Sequence, residues 1–595
     1  MKKARFIRIS AAFALILIFV AGISSRDYLI WQANSLFHDT AQEATTQEQF
    51  EDYLNQLFCQ EVTANTINLH YTLKNPENYG ITDYDVTYGE ISEESYRESV
   101  ASLENIEAAL EEISIKELDL SFQLTYDTLK EETKMELFGA DLYLYQEPLR
   151  PSTGIQAELP VLMAEYTFYG EQDVQDYLEL LNKTPEYFRQ ILLLEMKKAN
   201  SGLFMAEFAA EDIINQCRNF IVDPENNYLL STFDDKVDAL EDLSDEQKQS
   251  YKEQNKRAVK ESIIPAYEML IRGLITMKGS GENQEGLCNL PEGNAYYEYL
   301  VKSYTGSDMS IEEMQEKTKQ QRAQDLTDAA KLISKQPELL SQTVSYAFAQ
   351  QDPIVILEDL QEKMRQDFPM APDTSFTVKY VHPSLEEYMA PAFYLAVPID
   401  DISRNSIYIN GANNYQKLKL YTTLAHEGFP GHLYQNIMER SQDFPTIRSL
   451  LGTSGYSEGW ATYVEMISYS YADIDPGLAS LLQKDQSALL SLYATADLGI
   501  HHDGWSLQDM MDFFGGYQIT DETTLTEVYH LIVEEPAHYL KYYIGYLEFL
   551  ELKDFAENMY GEKYSDYRFH EALMRMGPAQ FSVLRKYLPE YYVAE

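Results

Sequence analysis

The stretch His426-Glu427-Gly428-Phe429-Pro430-Gly431-His432 combines two histidines with a glutamate that directly follows the first of them. Imidazole nitrogens are common ligands of Zn²⁺, and a carboxylate beside a ligand histidine can take a proton from water that the metal activates. In the pattern H-E-x-x-H, the two histidines lie four residues apart on one helix face. Here they lie six residues apart, which turns their rings about 120° from each other on an unbroken helix.

Pro430 and Gly431 offer a way to bring the two rings together. Proline disrupts a helix interior, and glycine adopts backbone angles that other residues avoid. The sequence therefore predicts a helix that carries His426 and Glu427, a kink or bulge over Gly428–Gly431, and a second helix that begins at His432. A His-Glu pair also arises beside a Pro-Gly turn by chance, so a metal site needs support from a third ligand elsewhere in the chain.

A candidate third ligand lies in the stretch Tyr456-Ser-Glu-Gly-Trp-Ala-Thr-Tyr-Val-Glu465. Glu458 follows His432 by 26 residues, which leaves room for a loop and a returning helix, and Glu465 falls on nearly the same helix face. A glutamate from an adjacent helix completes the His₂Glu set of thermolysin-type zinc sites. We therefore predict that His426, His432 and Glu458 bind Zn²⁺, with Glu427 as the general base. A capping or surface role for Glu458 is the alternative in so acidic a chain.

Further blocks of sequence make the chain similar to a known family. Together with residues 426–432 and 456–465, they resemble the bacterial family called domain of unknown function 885, which is grouped with the zinc peptidases of the thermolysin and angiotensin-converting enzyme superfamily. The resemblance implies a mainly α fold, a large helical metallopeptidase-like structure with a central cleft and a small β element near the site. The further blocks are Asp497-Leu-Gly-Ile-His-His-Asp-Gly-Trp-Ser506, Pro536-Ala-His-Tyr-Leu-Lys-Tyr-Tyr-Ile-Gly545 and Phe569-His-Glu-Ala-Leu-Met-Arg-Met-Gly-Pro578.

The resemblance also implies roles for residues outside the metal set. In related zinc peptidases, a downstream Tyr or His donates a hydrogen bond to the oxyanion of the tetrahedral intermediate. Tyr542 and His501 lie in matching blocks, so we expect both to be catalytic, and Tyr542 to contact the substrate as well. His538 follows two glutamates and a proline and is expected to line the cleft.

Two β-like stretches, Ser375–Val381 and Ser406–Ile409, lie just upstream of the histidine motif. In metallopeptidases a strand often borders the cleft and pairs with the substrate backbone. We expect the strand that ends at Asn410 to do so, which makes Asn410 a candidate substrate-binding residue; a simple structural hairpin is an equal alternative. A ligand imidazole also needs an acceptor for its second nitrogen, and Glu465 or Asp497 is expected to supply it.

The composition limits the partners of the protein. With 96 acidic and 46 basic residues among 595, the formal net charge is −50, and such a surface repels nucleic-acid phosphates. The expected activity is that of an exported zinc metallopeptidase with a peptide substrate. A metal-dependent hydrolase of non-peptide amides, or a non-catalytic peptide-binding protein on the same fold, is the alternative.

The N-terminus indicates export. Met1–Arg8 is rich in basic residues, and a largely apolar run from Ile9 to Ile23 follows it, as in a secretory signal. We expect residues 1–25 to be a signal peptide or a membrane anchor, and the protein to lie outside the cell or at its surface. Residues 40–282 are expected to form a helical N-terminal half, and residues 283–595 a helical catalytic half, in one continuous fold.

Overall fold

The computed structural model of the chain describes residues 45–343, 346–381, 386, 390–411 and 416–592. The predicted signal or anchor at residues 1–25 lies outside this part of the chain. Within the described ranges, each helix is too short or too polar to cross a lipid bilayer.

The fold is mainly α-helical, as predicted, and one small sheet interrupts the helices. The α-helices are α1 (Thr46–Thr63), α2 (Thr66–Thr72), α3 (Glu93–Glu112), α4 (Leu120–Phe138), α5 (Ile155–Glu165), α6 (Glu171–Asn200), α7 (Glu207–Phe220), α8 (Tyr228–Asp238), α9 (Asp245–Ala258), α10 (Ile264–Met277), α11 (Gly293–Thr305), α12 (Ile311–Lys335), α13 (Glu338–Thr343), α14 (Pro353–Lys363), α15 (Gln416–Glu427), α16 (His432–Arg440), α17 (Ser454–Tyr471), α18 (Pro476–His501), α19 (Leu507–Gly515), α20 (Glu522–Glu534), α21 (His538–Tyr560), α22 (Asp566–Met576) and α23 (Phe581–Tyr591).

Serine side chains cap the starts of two helices. The Ser92 side chain accepts a hydrogen bond from the Ser95 N–H at the start of α3, and Ser244 accepts one from the Gln247 N–H at the start of α9. These bonds satisfy backbone donors that the first helical turn leaves unpaired.

Helix α6 continues through a proline, Pro185, in its interior. Apolar residues on both sides of the proline, including Leu181 and Phe188, are buried in one core, and this packing outweighs the cost of an interrupted hydrogen bond.

The sheet has three strands, β1 (Phe376–Tyr380), β2 (Ala392–Leu395) and β3 (Asn405–Ile409), in the order β1-β3-β2. β3 pairs with β1 in parallel and with β2 in antiparallel orientation. The two predicted β stretches are confirmed as β1 and β3, and β2 lay unrecognised between them. β3 is the central strand and all five of its residues are buried.

A large hydrophobic core surrounds the helices of the histidine motif. It contains residues of α11, α14 and α15 through α18, together with α21 through α23. A second core lies among α5 to α10 and also includes Phe393 of β2 and Tyr408 of β3. The sheet therefore packs between the helices of the first half and those that carry the motif.

Polar contacts also join the two halves close to the start of α21. Glu535 accepts hydrogen bonds from the backbone N–H groups of Ser152 and Thr153 at 3.2 and 3.1 Å. It also accepts one from the Thr153 hydroxyl at 2.8 Å, and Arg150 lies 3.7 Å from it. The chain just before α5 is thereby held beside the turn that leads into α21.

Helices α17 and α21 cross at a contact that only glycine permits. A Cβ added to Gly459 of α17 would lie 2.5 Å from the backbone of Gly545 in α21, and one added to Gly545 would lie 2.3 Å from the Gly455 carbonyl oxygen. Because backbone atoms cannot move aside like a flexible side chain, the three glycines set the distance between the two helices.

We expect Gly545→Ala to destabilise the protein by about 1–3 kcal/mol, the usual cost of forcing extra atoms into a packed interior. The measurement is the free energy of unfolding in urea. Gly515→Ala at the end of α19 is the matched control, because its added Cβ meets no atom within 4 Å; it should leave stability unchanged or raise it. Equal stabilities of Gly545→Ala and the wild type would contradict the close crossing.

Candidate metal centre

The histidine motif folds as the sequence predicts. α15 ends at Glu427 and α16 begins at His432, so a four-residue turn separates the two helices that carry the histidines. At Gly431 an added Cβ would lie 1.8 Å from the His426 carbonyl oxygen. Glycine is therefore required for the chain to reverse so tightly over the end of α15, and this reversal brings the two imidazoles together, with ring centroids 4.9 Å apart.

The buried ring of Trp460 ties α17 to this turn. Its Nε1–H donates a hydrogen bond of 2.9 Å to the Pro430 carbonyl oxygen. Phe368 and His570 pack edge-on against the indole at 5.9 and 5.8 Å, which fixes its orientation. Since Glu458 lies two residues earlier on α17, the same contact sets its position relative to the histidines.

The three predicted ligands meet at one point. Glu458 Oε2 lies 3.5 Å from His426 Nε2 and 3.4 Å from His432 Nε2, and one ligand atom from each residue lies within 4.8 Å of the others. All three side chains are buried. Neighbouring ligands around a tetrahedral zinc ion, at about 2.0–2.2 Å from the metal, lie roughly 3.3 Å apart.

Polar atoms of these residues are buried with no hydrogen-bond partner among the described residues: His426 Nε2, His432 Nε2 and both carboxylate oxygens of Glu458. Burying such groups unpaired is costly, so a cluster of them requires a ligand to compensate it. The donor set of two imidazoles and one carboxylate suits Zn²⁺. The residues therefore fit the metal that the sequence predicts.

The electrostatics of the cluster also favour a cation. Burial raises the pKa of Glu458, but the contacts with His426 and His432 outweigh this and hold that pKa well below its usual range. Burial lowers the pKa of His426, yet the nearby Glu458 and Glu465 raise it to about 10. The carboxylates thus attract positive charge to the ligand nitrogens, as a proton or as a metal ion.

Of the two carboxylates predicted to orient a ligand imidazole, Glu465 lies in the required place. Its Oε2 is 3.3 Å from His426 Nδ1, the nitrogen that points away from the other ligands. Asp497 instead accepts hydrogen bonds from the Tyr297 hydroxyl at 2.6 Å and from the Ala537 N–H at 3.0 Å. It therefore supports the turn before α21 rather than the metal ligands.

We expect Glu465→Gln to weaken zinc binding by about 10–100-fold, because carboxylates that orient a ligand histidine typically contribute this much to affinity. Titration against a chelating dye measures the effect. Asp473→Asn is the control: this residue is exposed and pairs with Lys363, so its zinc affinity should equal that of the wild type. Unchanged affinity in Glu465→Gln would mean that the 3.3 Å contact does not orient the ring.

Glu427, the predicted general base, is fully buried beside the ligands. Its Oε2 accepts a hydrogen bond of 3.0 Å from the backbone N–H of Tyr394 in β2, while Oε1 has no partner among the described residues. Burial raises the pKa of Glu427. One oxygen is thus held by the sheet, and the other is left to exchange a proton.

The strand beside the site is β2, which corrects the prediction made for Ser406–Asn410. That stretch forms the central strand β3, whose two edges are already paired, so it has no edge to offer a substrate. The Asn410 side chain donates a hydrogen bond of 2.7 Å to the Glu386 carbonyl oxygen. It holds the chain before β2 in place, which differs from the substrate contact that we expected.

The start of α21 places Tyr542 beside the predicted ligands and His538 beside Tyr542. The Tyr542 ring is buried and lies 6.4 Å from the His426 ring and 5.6 Å from the His538 ring, measured between centroids. Burial lowers the pKa of His538 well below its usual value. Both residues stay candidates for the roles that the sequence predicts.

His501, which was predicted to be catalytic, uses both of its ring nitrogens in hydrogen bonds to the backbone. Its Nδ1 accepts a hydrogen bond of 3.2 Å from the Leu287 N–H, and its Nε2 donates one of 2.8 Å to the Ile532 carbonyl oxygen. Burial lowers its pKa to about 4. In this structure the ring links two segments of the chain.

Sequence reasoning missed two groups at the site. Lys541 is buried with its ammonium 3.9 Å from Glu458 Oε1, and the Tyr394 N–H binds Glu427. Lysine in an acidic chain resembles any surface residue, although its position directly before Tyr542 was a usable signal. A backbone donor leaves no signal in sequence.

The sequence pattern of the family described as "Bacterial protein of unknown function (DUF885)" matches residues 76–588, which confirms the family resemblance. No curated protein matches the chain.

Two solved structures share the fold. "The crystal structure of the putative lipoprotein from Colwellia psychrerythraea" has a TM-score of 0.82 at 17% identity, covering 92% of this chain and 100% of that one. "A putative lipoprotein of unknown function from Shewanella oneidensis" has a TM-score of 0.62 at 15% identity, with the same coverage. An oligoendopeptidase F from Bacillus anthracis reaches a TM-score of 0.32 at 10% identity, covering 86% of this chain and 96% of that one, which is too low to carry an argument.

Proposed function

The chain belongs to the bacterial DUF885 family, and we propose that this member is a zinc-dependent metallopeptidase that hydrolyses peptide bonds. The observation that carries the proposal is the convergence of buried, unpartnered polar atoms from His426, His432, Glu458 and Glu427. A structural zinc site normally has four protein ligands, whereas three leave a coordination position open. In Glu427, one carboxylate oxygen accepts a backbone hydrogen bond and the other is unpaired among the described residues. This is the arrangement of a general base.

In the proposed mechanism, His426, His432 and Glu458 hold the metal. Bound zinc supplies a Lewis acid that lowers the pKa of water towards about 7. Glu427 Oε1 takes the proton of the attacking water and passes it to the leaving amine, while the Tyr394 N–H keeps Oε2 in place. Tyr542 is assigned as the donor to the oxyanion, a role that typically contributes about 10²–10³ in rate.

The outer edge of β2 is the proposed backbone contact for the peptide. In an antiparallel pair, alternate residues bond to the neighbouring strand. The Tyr394 N–H binds Glu427 and the Asn410 N–H donates to the Pro391 carbonyl, so Pro391 and Phe393 face β3 whereas Ala392 and Tyr394 face outward. A peptide that pairs with the Ala392 backbone and the Tyr394 carbonyl, the outward groups that Glu427 does not use, lies alongside the base.

The test is metal analysis of purified protein together with an assay on a mixed peptide library. About one zinc per chain is expected, with cleavage that stops on chelation and returns when zinc is added back. Zinc without peptide cleavage would favour a hydrolase of non-peptide amides. No retained metal after zinc is added would overturn the enzyme assignment and favour a peptide-binding protein.

We further propose that the protein acts outside the cytoplasm or at the cell surface. Support comes from the basic and then apolar sequence of residues 1–25, which is typical of export signals. Cell fractionation with antibody detection tests this, and recovery of the full-length chain in the cytoplasmic fraction alone would contradict it.

A further inference from the structure

Lys541 is a buried cation beside the metal ligands. The residue is 4% exposed, and its Nζ lies 3.9 Å from Glu458 Oε1 and 5.1 Å from the centroid of the Tyr542 ring. Among the described residues, no acceptor lies within hydrogen-bond distance of this ammonium, which can donate three hydrogen bonds. Lysine is rarely buried without a partner because an unpaired charge loses its hydration.

Glu458 does not satisfy the donors of this ammonium. Its Oε2 lies 3.5 and 3.4 Å from the two histidine nitrogens, and its Oε1 lies 3.9 Å from Lys541 Nζ, too far for a hydrogen bond. The donors of Lys541 are therefore left for an acceptor group that enters beside the ligand set.

Neighbouring charged groups are engaged elsewhere. Arg150 is a second buried cation, and it faces Glu535 at 3.7 Å and donates a hydrogen bond of 2.9 Å to the Tyr304 hydroxyl. Burial and Glu535 raise the pKa of Glu158, while Lys541 and Arg150 lower it. Burial and then Lys541 lower the pKa of His538.

We propose that Lys541 binds a carboxylate of the substrate, so that the site selects peptides with a negative group next to the scissile bond. This inference rests on the proposed function and specifies its substrate class. A free C-terminal carboxylate and an Asp or Glu side chain offer the same chemistry. The ammonium donates a charge-assisted hydrogen bond to either, and the low polarity of the buried site strengthens it.

The experiment compares N-acetylated peptides in matched pairs: free acid against C-terminal amide, and Glu against Gln at the residues flanking the cleaved bond. The wild type should show a kcat/KM about 10–100-fold higher for one acidic member, the usual size of a hydrogen bond to a charged group. Lys541→Met should abolish this preference while its activity on the neutral member stays within a few-fold. The pair that shows the preference identifies the source of the carboxylate.

Lys553→Met is the matched control. Lys553 lies on the same helix but pairs with Asp566 at 2.7 Å, about 18 Å along the helix from Lys541. It should keep the wild-type preference. Metal content and thermal unfolding of both variants show whether a lost preference comes from loss of the metal centre or of the fold. Lys541→Arg, which keeps the charge, should retain part of the preference.

Binding measurements separate this inference from the proposed function. Glu427→Gln, which lacks the base, should bind the acidic peptide about 10–100-fold more tightly than its neutral partner, and the added Lys541→Met change should remove the difference. Cleavage of peptides without acidic preference would overturn the Lys541 inference and leave the peptidase assignment intact. Lys541-dependent binding of acidic peptides without any cleavage would overturn the peptidase assignment and support the subsite. Equal binding of both peptides by Glu427→Gln would overturn the subsite.

Discussion

Glu427→Gln is expected to reduce kcat for peptide hydrolysis by about 10²–10⁴-fold, the usual contribution of a general base, while the protein retains about one zinc per chain. The amide has nearly the same shape as the carboxylate but cannot accept the proton of the attacking water. The Tyr394 N–H can still donate to the amide oxygen, so the fold and the metal ligands should be preserved. Single-turnover kinetics and metal analysis of the same preparation measure the two effects.

Glu557→Gln is the control for this change. Glu557 lies exposed on α21, far from the cluster, so the same chemical replacement there should leave both kcat and zinc content at wild-type values. A Glu427→Gln protein that keeps full activity would mean that another group takes the proton. One that loses its zinc would mean that Glu427 helps to hold the metal.

His432→Ala is expected to lower the zinc content from about one per chain to near zero after dialysis. Removal of one of three protein ligands leaves a two-residue site, and binding free energy at such sites depends on the full set. Zinc should also no longer stabilise the fold. At a metal concentration about 1,000 times the Kd, the wild type gains about 4.1 kcal/mol from binding, and the variant should gain almost none in thermal unfolding with and without zinc.

His502→Ala is the matched histidine control. His502 pairs with Asp503 at 2.7 Å at the end of α18 and lies outside the ligand set. Its zinc content and its zinc-dependent stabilisation should equal those of the wild type. If His432→Ala still binds one zinc tightly, the metal centre is not the cluster around Glu458.

Local sequence patterns predicted much of the fold around the site. Pro430 and Gly431 place a turn between His426 and His432 because both residues act on the backbone within a few positions of themselves. The helical spacing of Glu458 and Glu465 puts them on one face of α17. Glu458 there meets His426 and His432, and Glu465 contacts the His426 ring. Residue type alone indicated the metal, since imidazole and carboxylate are zinc ligands.

Other features escaped prediction because they depend on distant partners. His501 matched the family block, but its role follows from Leu287 and Ile532, which lie far from it in sequence. Asn410 ends a predicted strand, yet whether that strand is central or at an edge depends on how three strands assemble. Lys541 looks like any lysine until folding buries it against Glu458.

The sequence by itself determined the mainly helical class and the broken helix that carries His426 and His432, and it predicted the ligand set and the base. These follow from residue chemistry and from backbone preferences that act over one or two turns. The tertiary structure alone decided that β2 is an edge strand, that His501 bonds to Leu287 and Ile532 and that Lys541 lies beside Glu458. Sheet order and the burial of a side chain arise from packing between elements far apart in the chain, which no local pattern encodes.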